Sequence, residues 1–141
     1  MANDSISPGE LVGSWRLESY VDVHEDGSTS EGPLGPAPAG LLIYSADGHV
    51  SVSMMRTTDG PSRGRAPAIS FMGYAGTWHL SGTQVVHEVS VSSHSYLIGS
   101  KQLRDLTIGG DLLTLTGTAG AAGGPPQRRA LNWRRTEKGQ P

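Results

Sequence analysis

Gly40-Leu-Leu-Ile-Tyr44-Ser-Ala-Asp-Gly48-His-Val50-Ser-Val-Ser-Met54-Met-Arg56 decides the fold of this 141-residue chain. Two runs alternate apolar and polar residues with period two, and a small polar cluster separates them, which reads as a β-hairpin. A two-residue Asp47-Gly48 loop would set Tyr44 opposite Ser51 and mix the faces. A three-residue loop with Gly48 in the left-handed region pairs Tyr44 with Val50 and Leu42 with Val52, so the apolar sets share a face.

The same alternation recurs along the chain, and long helical periodicity is missing. Eight strands are expected at about 11–21, 40–45, 49–56, 71–80, 83–92, 101–108, 111–117 and 128–135. A turn at Ser81-Gly82 would pair Trp78 with Val85 and set Gly76 across from His87. One at Gly109-Gly110 would pair Leu106 with Leu113 and Arg104 with Leu115. Connections alternate between tight and long, which predicts an all-β, eight-stranded up-and-down antiparallel barrel pinched at one end and ringed by long loops at the other. Ser7-Pro8-Gly9-Glu10 reads as a capping box with proline at the first helical position, and Ile6 and Leu11 as a hydrophobic staple. That short turn is expected to plug the pinched end. The chain then divides into a plug segment (1–10), the barrel (11–135) and a flexible tail (136–141).

Composition narrows the function. Eleven Lys+Arg against 13 Asp+Glu leave a formal charge of −2, which argues against nucleic acid as a partner. No apolar run approaches the roughly 18 residues that read as a membrane span. No secretory signal is visible at Met1-Ala2-Asn3-Asp4-Ser5, and a cytoplasmic location is expected. Without a signal, the glycosylation pattern Asn3-Asp4-Ser5 carries no meaning. The absence of cysteine removes thiol catalysis, zinc–cysteine sites and disulfides. His24-Glu25-Asp26 are adjacent loop residues and do not make a preorganised metal site, so neither metal nor cofactor is expected. The serine-hydrolase, P-loop, dinucleotide and zinc-protease motifs are all missing. Nothing in the pattern decides between a monomer and a homodimer.

The face assignment points Trp15, Leu17 and Ser19 inward, together with Val85, His87, Val89 and Val91 and alternate residues of the other strands. Among inward polar groups, Arg56, Tyr74, Gln102 and Arg129 fall toward the wide end, and His87 and Arg104 sit deeper. An inward arginine without a partner is costly, so Arg104 calls for a ligand oxygen, or else simply pairs with Gln102, with backbone carbonyls or with an unrecognised inward acid. Arg104 and Gln102 would bind carbonyl or phenolate oxygens. His87, with an ordinary pKa near neutrality, is either a hydrogen-bonded core histidine or a proton donor and acceptor. Gly76 would leave space beside its imidazole. Tyr44, Tyr74, Trp78, Met54 and Met72 would form an apolar, polarizable wall, with Arg56 and Arg129 nearer the opening. His87, Arg104 and Tyr74 are the catalytic candidates; the others are ligand-binding candidates. Trp15 with Arg135 reads as a structural lid with a cation–π contact. His94 and Tyr96 lie in a loop at the wide end, and Arg63 and Arg65 in a second one could meet an anionic ligand. The loops at 32–40, 57–67 and 119–126 are rich in Gly, Pro and Ser, and mobility is expected there.

These residues also carry a resemblance. Gly13-Ser14-Trp15 matches the Gly-x-Trp signature of lipocalins, and Asn132-Trp133-Arg134-Arg135 ends the last strand, where lipocalins keep an arginine stacked over that tryptophan. The 40–56 run, Gly35-Pro36, Gly76-Thr77-Trp78 and Gln102-Leu103-Arg104 are similar to the bacterial lipocalin-like domain family. The likeness spans about 11–135. The signal peptide, disulfide, second signature and C-terminal helix of secreted lipocalins are not evident, so an extracellular transport role is not implied. Family members and similar small barrels occur in natural-product pathways, some as cyclases. The resemblance therefore implies a cofactor-free cyclase or isomerase acting on a polyketide-like intermediate, with an intracellular binder or carrier of a small apolar ligand as the alternative.

Overall fold

The computed structural model describes residues 6–57, 70–119 and 127–136. It begins with a one-turn helix α1 (Pro8–Leu11), in which the Glu10 carboxylate accepts the Ser7 backbone N–H at 2.8 Å. The strands are β1 (Gly13–Val23), β2 (Thr29–Glu31), β3 (Ala39–Tyr44), β4 (His49–Met55), β5 (Phe71–Ser81), β6 (Gln84–Ser92), β7 (Lys101–Gly109), β8 (Leu112–Ala119) and β9 (Gln127–Arg135). A 3₁₀ turn (Ser95–Leu97) lies between β6 and β7.

Every pairing is antiparallel, and β1 bonds both β3 and β9. The sheet therefore closes into an eight-stranded barrel. β2 stands outside that count, on the far end of β1, where Val21 faces Glu31. It converts the start of the expected first long loop into a hairpin. Leu34 in the same loop is fully buried, so this segment packs on the barrel instead of hanging free.

The β3–β4 hairpin has the three-residue loop its faces require: Tyr44 pairs with Val50, Leu42 with Val52, and Gly48 has φ 92°. The other two tight hairpins differ from expectation by two residues. Ser81 pairs with Gln84 and Gly109 with Leu112, so the loops are Gly82-Thr83 and Gly110-Asp111. Gly82 (φ 64°) and Gly110 (φ 60°) occupy the first loop position, which demands positive φ in these turns. A shift of two keeps every face, so the apolar sets still converge.

Two bulges change faces. In β1 the register slips between Leu17 and Ser19, which turns Ser19 out to accept a hydrogen bond from Asn132 and turns Tyr20 in. In β5–β6 it slips between Ala75 and Gly76, leaving Val91 exposed instead of inward. Gly76 pairs with Val89, not His87, and a Cβ on it would sit 1.8 Å from the Glu88 carbonyl oxygen. Its role is to admit the bulged backbone, not to clear space beside the imidazole.

The pinched pole is sealed. Leu11 and Trp15 are fully buried, the Trp15 indole donates to the Leu11 carbonyl (3.0 Å), and the Arg135 guanidinium lies 4.1 Å above the Trp15 ring. Arg135 also donates to the carbonyls of Val12 and Glu10. No helix among the described residues is long and apolar enough to cross a membrane.

Candidate functional site

Above the sealed pole lies a cavity of about 530 Å³. Its apolar wall includes Leu42, Val52, Met54, Met72, Leu115 and Leu131, and its polar wall Tyr20, Tyr74, His87, Gln102, Arg104 and Arg129. Tyr96, Leu97, Ser100 and Lys101 ring the far side, beside the 3₁₀ turn. No carboxylate lines it among the described residues.

His87 occupies the middle of β6, between Trp78 of β5 and Gln102 of β7, and is 1 % exposed. Both ring nitrogens are engaged: Nε2 with the Tyr44 hydroxyl at 2.7 Å, Nδ1 with the Tyr74 hydroxyl at 2.6 Å. Burial, reinforced by the nearby Arg104 charge, pulls the imidazole pKa down to about 3, so His87 is neutral. Burial raises Tyr44 well above the ordinary phenol value and takes Tyr74 to about 12. Burial likewise raises Tyr20. All four groups feel Arg104.

Arg104 lies across the β7–β8 pair because position 117 is glycine; a Cβ there would stand 2.5 Å from the Arg104 Cδ. Its guanidinium donates to the Leu103 carbonyl (2.8 Å) and to Gln102 Oε1 (3.1 Å). It has no carboxylate partner among the described residues. Among the described residues, Asp22 falls on the inward side after the β1 bulge, and it pairs with Arg129 at 3.0 Å. The indole N–H of Trp133, another lining residue, is buried with no partner among the described residues.

Of the sequence candidates, Met54, Met72, Tyr74, His87, Gln102, Arg104 and Arg129 meet around this cavity. Tyr44 lies behind His87, sealed from the cavity. Trp78 packs on Tyr44 (centroids 4.9 Å) with its indole N–H on the Ser45 carbonyl, toward the pinched pole. Arg56 is directed to the Pro33 carbonyl (2.8 Å) and tethers the first long loop, away from the cavity wall. Tyr20 escaped the sequence reading because strict alternation faces it outward. The signal was a Ser19-Tyr20 step that placed the hydroxymethyl inside and the ring outside.

His24 bonds Ser30, Asp26 bonds Ser28, and no group of metal-ligating side chains is found among the described residues. His94 and Tyr96 contact edge to face at the rim, with Tyr96 largely exposed. Arg63, Arg65, the loop residues 58–67 and 120–126, and the tail from 137 lie outside the described residues, as does Asn3-Asp4-Ser5.

Residues 12–136 fit the family model of the lipocalin-like domain. No curated protein matches the chain.

Proposed function

The chain belongs to the lipocalin-like domain family, and on that footing we propose that it binds one small, partly apolar molecule in the cavity and catalyses its cyclisation or isomerisation without a cofactor. Barrels of eight strands have room for one such molecule. The observation that carries the reading is the Tyr44–His87–Tyr74 hydrogen-bond chain, which ends on the cavity wall within the field of Arg104.

A polyketide-like intermediate supplies the matching chemistry: an apolar body and carbonyl oxygens. The leucine and methionine wall holds the body folded, so reacting atoms meet without a bimolecular search. Tyr74 donates its O–H to a carbonyl oxygen, and Arg104 stabilises the negative charge that develops there. With its pKa near 12, the phenol polarises that oxygen by hydrogen bonding; a proton it gives to the new hydroxyl is replaced by the one that the substrate's own enol nucleophile releases as the ring closes. His87 holds the Tyr74 oxygen in place throughout.

A second reading, a non-catalytic intracellular binder, draws on a specific observation. His87 and Tyr74 are both held neutral, as suits a passive receptor.

One assay separates the two. Polyene and poly-β-keto compounds are incubated with the protein and followed by chromatography at constant mass, since ring closure or isomerisation leaves mass unchanged. For an enzyme, Tyr74→Phe lowers turnover at saturating substrate by about 10²-fold or more. For a carrier, the variant changes affinity alone and no mass-neutral product forms.

A further inference from the structure

The hydrogen-bond chain at the cavity has a direction, set by which of its ends is sealed. Tyr44 is 1 % exposed, and its hydroxyl has one hydrogen-bond partner among the described residues, His87 Nε2. Its proton therefore has one acceptor in reach. A buried O–H with none forfeits its hydrogen bond to water and gains nothing in return. A neutral imidazole carries one donor and one acceptor nitrogen. Once Nε2 accepts from Tyr44, the ring hydrogen sits on Nδ1 and is donated to the Tyr74 oxygen. The Tyr74 proton is then free, on a residue that lines the cavity. The reverse direction would strand the Tyr44 proton in the sealed core.

Arg104 completes the arrangement. Two of its five N–H groups are taken, by Leu103 and Gln102, and the rim acid Asp22 is engaged by Arg129. Gly117 lets the guanidinium lie flush against β8, which fixes its position. The polar wall thus offers donors and the positive charge of Arg104, which no carboxylate among the described residues meets.

We propose that Tyr44 is a positioning residue which locks His87 as the Nδ1–H tautomer, so that the Tyr74 hydroxyl proton and Arg104 together form a receptor for an anionic oxygen of the ligand, a carboxylate or an ionised enol or phenol. This rests on the cavity being a ligand site, and it adds the ligand's acidic head and the residue that orients its receptor.

Two measurements test it. In ligand-free protein carrying ¹⁵N-histidine, long-range ¹H–¹⁵N correlation reads the His87 tautomer. Nδ1–H is expected in the wild type, and Tyr44→Phe moves population to Nε2–H. A wild-type Nε2–H tautomer overturns the proposal without any ligand being involved. The second measurement titrates the protein with 2-naphthoate, 2-naphthol and methyl 2-naphthoate, followed by fluorescence. A charge-assisted contact predicts that one acidic probe binds at least about tenfold tighter than the ester. Preference for naphthoate selects the carboxylate; naphthol bound with the ground-state naphtholate excitation band selects the phenolate. Arg104→Gln abolishes the preference, and folded Tyr44→Phe weakens the acidic probe more than the ester. An ester that binds as tightly as both acids overturns the receptor, whereas failure of all three to bind overturns the cavity reading itself and the receptor with it.

Discussion

Trp15 with Arg135 and Trp133 with Arg104 use the same two side-chain types and end differently. At the plugged pole the Trp15 indole donates to the Leu11 carbonyl, and Arg135 stacks on that ring while donating to Val12 and Glu10. Along the cavity, the Trp133 indole has no partner among the described residues and Arg104 no carboxylate. The satisfied pair closes the pole, whereas the open pair lines the cavity. Position in sequence does not separate the two pairs, since Trp133 and Arg135 are two residues apart on β9.

The contrast breaks most severely at the plug. Trp15→Ala should cost about 3–5 kcal/mol in urea unfolding, by removing a fully buried ring and its hydrogen bond together. A loss under about 1 kcal/mol would show that the lid contributes little. Acid offers the next largest effect. His87 resists protonation until about pH 3 when folded, but takes a proton near 6.5 when unfolded. The unfolded state therefore binds more protons between those values, and stability falls as pH drops below about 6.5. The slope is at most about 1.4 kcal/mol per pH unit, or under ~3 kcal/mol between pH 6.5 and 4.5. Denaturant titrations across that range should show the slope flattened in His87→Gln. The smallest effect is a difference between two mild changes. Trp15→Phe strands the Leu11 carbonyl and should cost about 1 kcal/mol more than Trp133→Phe, which removes an N–H already unpartnered. Equal costs would mean that the two indoles stand in equivalent surroundings.

The barrel was legible wherever side-chain parity alone decided. The 40–56 hairpin came out with its loop length, because one choice mixed the faces and Gly48 could take positive φ. The registers at Gly82 and Gly110 came out two residues off, since adjacent loop residues offered two placements that parity cannot tell apart. Bulges were not legible. Each breaks the alternation that the reading relied on, which is why Tyr20 and Val91 were placed on the wrong faces and Gly76 was given the wrong task. Around the cavity, alternation found His87, Arg104 and Tyr74 as inward groups but could not give their mutual contacts. The Tyr44–His87–Tyr74 chain depends on side chains from three strands meeting across the interior, and no spacing within one strand encodes it. Arg56 faced inward by parity, yet the Pro33 carbonyl of a folded-back loop claimed it.

Sealing one pole turns the interior into a dead end. Whatever goes in must back out by the same route, so a later arrival queues behind an earlier one. Traffic of that kind would suit the proposed rearrangement of a single molecule upon itself, and it would then tie the pace of turnover to how quickly the finished molecule vacates its berth.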